Sequence, residues 1–532
     1  MPGQANKIWA RHTIGDGWRP DLAPSAEAAV GQDGRIVVPY LQDAKNVEFG
    51  PPSPVQEVRK LPGLAKLNGS ALESGAAVMG VFDYWRFAGS LTGTQRRVAH
   101  AGTKILADAA DGSFAAIKTG LTSGAVPCYT VMNDELVIAS DGDTPLVYDG
   151  STCAALGGTP PAFSFCVQHK NRMWAAGVAA AGSTLYYTAA DNHEDWVGAG
   201  SGSILVDSAD GDRITGLVSH KDRLFVFKGP NRGSIYMITG STPTGTDAFA
   251  KVPFVYGLGA ACHNAIFPFG NDIGFVTPYG AVHTLSATDA YGSFALAALS
   301  SGLNDWIGMN FAFGRMKYVG ACADLLQSKV YITVSINAST THNRVLILDY
   351  RFNPPRWTYD ERKAAASVGL VRDTASNARP VVMFGGYDGF VRKPTTNSSV
   401  DGSTAISARV TAPFLHYGLP QLLKTIEGGA VTIVPLNDGD FAIRWYRDSA
   451  SYQSVTIEQG GGAVLDSFVL DTDVLGGARN SDRFFRAEES GEGGGSARAV
   501  AWEIVQAALD EDFRFTGWLA DLTVGAESYE SV

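Results

Sequence analysis

Five cysteines (Cys128, Cys153, Cys166, Cys262 and Cys322) and nine histidines (His12, His100, His169, His193, His220, His263, His283, His342 and His416) are the residues of this 532-residue chain best suited to nucleophilic or metal chemistry. Their spacing encodes neither. The cysteines are odd in number and form no CxxC pair, and no two histidines stand at i, i+4 or in an HExxH run, so a zinc site on one helix or knuckle is not written locally. Most of the cysteines lie within apolar, strand-like stretches, which predicts reduced thiols packed as small hydrophobes. A GxSxG elbow, a GxxxxGK[ST] phosphate loop and a GxGxxG between strand and helix are all missing from the sequence.

Carboxylates offer more candidates and less pattern. Glycoside hydrolysis needs two of them at a fixed separation, one with a raised pKa, and sequence distance does not reveal such a pair among 53 acidic residues. The turns Asp141-Gly142-Asp143, Asp210-Gly211-Asp212 and Asp438-Gly439-Asp440 supply hard oxygens that suit calcium. The competing reading is conformational, because Asp-Gly is a preferred pair for tight hairpin turns, and none of the three continues into a twelve-residue EF-hand loop. Trp85, Trp174, Trp357 and Trp445 could stack on sugars, yet their strand context predicts core or interface positions. HEDW (193–196) and NDW (304–306) share little with a WD repeat, and FGGYDG (384–389), similar to a kelch double glycine, occurs once and reads as a turn before a last strand. No catalytic, cofactor-binding or metal-binding residue is therefore expected, no cofactor is implied, and the chain is not expected to be an enzyme.

Composition narrows the class further. Hydrophobic residues make up 45% of the chain and charged residues only 18%, so there is ample material for several cores and wholesale disorder is excluded. The 61 glycines are scattered and not in a three-residue register, which excludes collagen and points to many turns. A formal charge of −11 gives no electrostatic grip on phosphates, leaving at most a passive contact with DNA. The opening residues MPGQANKIWARHTIGDGW contain no uninterrupted apolar segment, and no run of eighteen apolar residues follows, so neither a signal peptide nor a membrane span is expected.

The elements that would carry any site are short strands. Residues 1–60, with DGWRPDLAP, EFGPPSPV and KLPGLAKL, show little period of either kind and predict an extended N-terminal arm. From about residue 80 a unit recurs, an apolar strand, a polar turn and a second strongly apolar strand, as in CYTVMNDELVIAS, FCVQHKNRMWAAG and LVSHKDRLFVFKG. Its turn landmarks are Asp134, Asn171, Asp222, Asp272, Ser328 and Ala378, at successive gaps of 37, 51, 50, 56 and 50. Three or four short strands per 40–55 residues is the mark of a β-propeller blade. The stretch FDYWRFAG to SFAAIKTG adds one more, so the expectation is an all-β chain with a six- or seven-bladed β-propeller over 61–400; an array of β-sandwiches with chance spacing is the alternative. A polar linker near 396–404 precedes strands that alternate plainly. In FAIRWYRD, Phe441, Ile443 and Trp445 face one side while Arg444 and Tyr446 face the other, which predicts a C-terminal β-sandwich over 401–532 with loops at 459–464 and 491–496.

Three stretches read together and in order carry a resemblance. DGWRPDLAP (16–24), DAKNVEFG (43–50) and VRKLPGL (58–64) resemble the opening of phage-encoded tail proteins, in which an extended arm leads to a basic, Pro-Gly element; here Lys60-Leu61 stands where an arginine often directly precedes the proline. The blade over 217–240 and the stretch from Leu423 to Ala450 are similar to later parts of the same group. The resemblance is to the tail nozzle, or tail tubular protein B-like, β-propeller family of short-tailed phages. It implies a structural virion protein made in the host cytoplasm, a homo-oligomer of six copies (a hexamer) set below portal and adaptor, with tail fibres as further neighbours, through which DNA is ejected. An acidic chain fits a conduit that must not hold its cargo. The arm would then order on a neighbouring subunit. Two other classes remain open: a virion-borne carbohydrate-binding propeller that attaches to the host surface, and a glycoside-hydrolysing one.

Overall fold

A computed structural model describes residues 6–23, 25–26, 29–30, 36–53, 56–109, 111–286, 298–373, 379–396, 398–433, 440–448, 452–458, 481–487, 496–509 and 511–524. The predicted loops at 459–464 and 491–495 and the landmark Ala378 lie outside them. The chain divides into two compact units, one of residues 66–345 and 363–394, the other of residues 1–65, 346–362 and 395–532.

The first unit is a β-propeller. Four meanders of four antiparallel strands open it, with inner strands Val78–Arg86, Pro127–Met132, Phe165–His169 and Arg213–His220. A three-stranded blade begins at Ile266–Phe269, and a last blade, whose strands belong to a six-stranded sheet, begins at Ala365–Arg372. Between these two, the ring holds the hairpin Ala321–Asp324 and Lys329–Val334. Six blades and one hairpin account for the expected count of six or seven. The hairpins turn where the sequence placed them: Asn133-Asp134, Lys170-Asn171 and Lys221-Asp222 all have positive φ at both residues, the backbone of the two-residue turns whose twist matches that of the strands. Asp272, by contrast, is already the first residue of a strand, and the turn before it uses Gly270 at φ 57°.

Apolar residues sit on both faces of the second strand of each blade because each blade is covered on both sides. Leu224 and Val226 join Trp174, Leu185 and Ile214 in the core between the third and fourth blades. Phe225 and Phe227, pointing the opposite way, join Ile273 and Phe275 in the core between the fourth and fifth. That is why RLFVFKG and ELVIAS show no alternation. Truncation of Leu224 to alanine therefore removes contacts worth about 2–5 kcal/mol.

The ring closes without a covalent link. The inner strand of the last blade packs on the inner strand of the first, and the Ser367 hydroxyl donates to the Val78 carbonyl at 2.7 Å. Glycine is required at this seam: a Cβ on Gly369 would stand 2.3 Å from the Val81 carbonyl oxygen and one on Gly385 2.4 Å from that of Val78. The FGGYDG stretch is thus part of the closure.

In the second unit the expected free arm is woven into the C-terminal strands. Asn6–Ile14 pairs antiparallel with Arg514–Val524, from Asn6 opposite Val524 to His12 opposite Trp518. Arg514–Val524 continues to Lys424–Ile433 and Ser481–Arg486. A facing sheet contains Ala408–Thr411, Val500–Gln506, Asp440–Arg447 and Tyr452–Glu458, and Asp43–Lys45 bridges its edge to Arg356–Asp360. Trp445 and Trp502 of that sheet pack against Phe485 of the other, forming the core of a β-sandwich. Phe441, Ile443 and Trp445 are buried and Arg444 and Tyr446 only partly so. Residues 346–362, expected within the propeller, belong to this unit. The arm reads as irregular in sequence because it contributes strands of two or three residues whose partners lie hundreds of residues away.

Two outcomes test this description. Gly369→Val drives a side chain into the Val81 carbonyl and should lower the melting temperature of the propeller sharply, at a cost of roughly 3 kcal/mol, whereas Gly69→Ala, a change with open space around it, should cost much less. His12 is fully buried, stacked on Trp518 at 4.9 Å, and burial depresses its pKa from 6.5 to about 3. Its folded form binds fewer protons than the unfolded one, so its contribution is whole above pH 6.5 and is lost progectively as pH falls toward 3, by about 1.4 kcal/mol per unit. Tryptophan-fluorescence melts across that range should show an acid slope that His12→Gln reduces.

Candidate functional site

Inner strands of successive blades all run the same way, so their first residues collect at one end of the ring. There the starts of Pro127–Met132, Phe165–His169 and Arg213–His220, together with the turn His263–Ala265, surround a cavity of about 510 Å³. Arg213 and Lys317 bring positive charge to its lining and Asp141 negative charge.

The cavity wall is pinned by hydrogen bonds between blades. The Asn264 amide donates to the Pro127 carbonyl at 3.1 Å, and the Thr215 hydroxyl donates to the Ala260 carbonyl at 2.8 Å. The His263 ring lies against Phe165, with centroids 5.1 Å apart and planes 12° from parallel, and its Nδ1 accepts the Leu217 N–H at 3.3 Å. With Nδ1 used as an acceptor, the proton of the neutral ring resides on Nε2. The Cys128 thiol lines the cavity and donates to the Cys166 carbonyl at 3.4 Å, an oxygen that also accepts from the Thr130 hydroxyl at 2.8 Å.

All five cysteines are free, and their environments separate them. Burial pushes the Cys262 and Cys322 thiols up to about 12 and Cys153 up to about 11. Cys128 moves the other way. The influence of Cys166 and then of the His263 ring holds it well below the ordinary thiol range in spite of burial, while the neighbouring Cys128 and burial push Cys166 well above it. Sequence reading treated all five alike, although one signal was present: Cys128 and Cys166 are 38 residues apart where their blade landmarks are 37 apart, so both occupy nearly the same position on adjacent inner strands.

The other sequence candidates resolve into structure. At Asp210-Gly211-Asp212 the site a cation would take is filled by the buried Lys228 ammonium, which donates to the Val206 carbonyl at 2.8 Å, to the Asp207 carbonyl and to Asp210 at 2.8 Å. Asp212 accepts the N–H groups of Asn231, Arg232 and Gly233. Asp143 likewise accepts from Thr122 and Ser140, and of the third turn only Asp440 is among the described residues. Trp174, Trp357 and Trp445 are buried, while Trp85, partly exposed, carries Arg372 over its ring at 5.0 Å. Within HEDW, His193 meets Glu135 at 3.1 Å and Trp196 packs on Phe163. Among the described residues no three His, Cys, Asp or Glu side chains cluster in a way that could hold a metal ion.

No family model matches the chain, and no curated protein matches it. Solved structures do. The chain is similar to YCF48 bound to D1 peptide, with 12% identity over 63% of this chain and 98% of that one at a TM-score of 0.37. It is similar to the gluconolactonase XC5397 from Xanthomonas campestris, with 12% identity over 66% and 97% at 0.32. A chain of the S. cerevisiae assembly of Dbp5 with Nup159, Gle1, IP6 and ADP matches with 10% identity over 72% and 98% at 0.35. At these identities the likeness concerns the fold alone.

The lysine-filled turn gives a direct expectation. Calcium or a chelator should leave the melting temperature unchanged, whereas Lys228→Ala, which strands two carbonyls and a carboxylate, should destabilise the propeller by about 3–5 kcal/mol in a denaturant titration.

Proposed function

We propose that this chain is a structural protein of a short-tailed phage virion, a tail nozzle segment that assembles as a ring, with six copies expected, below portal and adaptor and passes DNA during ejection. The observation that carries the reading is the role of the three stretches on which the resemblance rests. In DGW, Gly17 lies where a Cβ would stand 2.7 Å from the Trp357 nitrogen, and Trp18 packs on Tyr359 at 4.7 Å. In DAKNVEFG, Asp43 pairs with Arg409, Lys45 with Glu361 at 2.9 Å, and Asn46, at φ 53°, donates to the Ser407 carbonyl and accepts the Glu361 N–H. In VRKLPGL, Arg59 pairs with Glu48 at 2.7 Å, and the buried Lys60 reaches Gln506 at 2.5 Å and the Glu511 carbonyl at 2.7 Å.

These charges are spent on joining the chain's two ends and not on a catalytic centre, which supports a structural role with no cofactor. The low share of charged residues suits broad subunit contacts, since interface cores are depleted of charge. The net charge of −11 suits a lumen that repels phosphate and lets a duplex slide. Portal, adaptor and tail-fibre proteins would be the neighbours, and the assembled virion the location.

A second reading, a virion-borne carbohydrate-binding or glycoside-hydrolysing propeller, is favoured by one feature, the cavity with Phe165 and Tyr318 beside Asn264 and Arg213 in its lining.

Solution mass followed by negative-stain imaging separates the two. A ring of about six copies with a central channel is expected for the nozzle. A monomer that stays single in the presence of portal and adaptor, and that retains host glycans in a binding screen, would overturn it in favour of the second reading.

A further inference from the structure

The cavity at the starts of the inner strands carries charges that its own wall does not neutralise. Arg213 opens the strand Arg213–His220, Lys317 lies in the turn Phe313–Tyr318, and Asp141 directly follows the strand Glu135–Ser140. All three are exposed and line the cavity. Other cations of this unit are matched by carboxylates: Arg97 meets Asp108 at 2.6 Å, Lys228 meets Asp210 at 2.7 Å and Arg392 meets Asp388 at 2.7 Å. Among the described residues, Arg213 makes no ion pair or side-chain hydrogen bond, Lys317 has only the Tyr318 ring at 4.8 Å, and Asp141 has no partner although it shares the wall with both cations. Arg315 lies over the same Tyr318 ring at 4.1 Å and adds to the positive field there.

The hydroxyls around the cavity donate within the wall. Thr215 donates to the Ala260 carbonyl at 2.8 Å, Ser164 to the Gly177 carbonyl at 2.8 Å and Thr122 to Asp143 at 2.9 Å. Asn264 places one amide N–H on the Pro127 carbonyl and keeps the second, and His263, whose Nδ1 accepts the Leu217 N–H, keeps the Nε2 proton. The wall is thus held in place before any ligand arrives, and the groups left over are two cations, two N–H donors and one carboxylate. A bare anion would satisfy the cations and leave Asp141 without a donor. A neutral sugar would serve Asp141 and leave both cations unanswered.

We propose that this cavity binds a small anionic polyol, a sugar phosphate or a sugar acid. Arg213, with its planar fork of donors, and Lys317, as a point charge, hold the anionic group, while Asp141 accepts from hydroxyls at the other end of the ligand. The volume of about 510 Å³ falls within the range of about 300–1,000 Å³ of small-molecule sites. This assignment goes beyond the proposed virion role and holds whether or not the chain forms a ring.

The test is isothermal titration calorimetry on the full chain, in low-salt buffer free of phosphate, with glucose 6-phosphate, glucuronate, glucose and inorganic phosphate as probes, paired with melting curves at millimolar ligand. Glucose 6-phosphate and glucuronate should compete for one site per chain, and the tighter of the two identifies the anionic group. That probe should bind at least about tenfold more tightly than glucose or inorganic phosphate. Arg213→Gln and Lys317→Gln should each weaken it about tenfold, the loss of one charge-assisted hydrogen bond, and Asp141→Asn should weaken both sugar anions without weakening inorganic phosphate. The three side chains are exposed, so the variants should melt with the wild type, which the same curves check. Glucose or inorganic phosphate binding as tightly as the sugar anions overturns the assignment, as does sugar-anion binding that survives both Arg213→Gln and Lys317→Gln. Absence of both binding and a melting shift with either sugar anion overturns it on the wild type alone.

Discussion

A four-stranded β-blade with apolar residues on both faces is not stable by itself, and everything in the propeller unit follows from the need to cover both. Leu224 and Val226 look one way and Phe225 and Phe227 the other, so each core belongs to two blades and no blade has a core of its own. A linear stack would leave the outer faces of its end blades in water. Curving the stack until the last blade meets the first removes them, which is why the backbone approach at Gly369 and Gly385 is so tight. Closure is an obligatory part of burial, and the cavity at the starts of the inner strands is its geometric by-product. Similar strand starts brought to one end place side chains from four blades within reach of one another.

The terminal unit meets the same requirement by other means. Its two sheets are completed by segments from opposite ends of the chain, and a buried polar relay ties them: His12 meets the Tyr417 hydroxyl at 3.1 Å, and that hydroxyl accepts from the Trp502 indole at 2.9 Å. A polar group this deep is tolerated only when its partners are supplied. His12 is supplied by residues more than 400 positions downstream, which makes the N-terminal strand an integral member of the sandwich.

What could be read from the sequence was what is local. Asn133-Asp134, Lys170-Asn171 and Lys221-Asp222 announce their turns by residue type, and the unbroken apolar run of RLFVFKG announces a strand buried on both faces, so the propeller and its approximate blade count were legible. The alternation of FAIRWYRD likewise gave the inward set Phe441, Ile443 and Trp445. The fate of residues 6–60 was not legible, because strands as short as Asp43–Lys45 and Val47–Phe49 carry no periodicity and take their identity from Ala408–Thr411, Arg356–Asp360 and Val58–Lys60. The distinct character of Cys128 was hidden too, since it depends on Cys166, 38 positions away, and on His263, 135 positions away in sequence.

The non-covalent seam between the first and last blades also sets a timetable. During synthesis the blade that starts at Val78 has one face without its partner until Ala365–Arg372 has been made, and Asn6–Ile14 waits for Arg514–Val524. Nearly the whole chain must leave the ribosome before either unit can complete its burial. Loop-closure entropy over such separations slows folding and lengthens exposure of apolar strands. The order of translation, with the sealing strands last, therefore keeps the ring open until all of its blades are present.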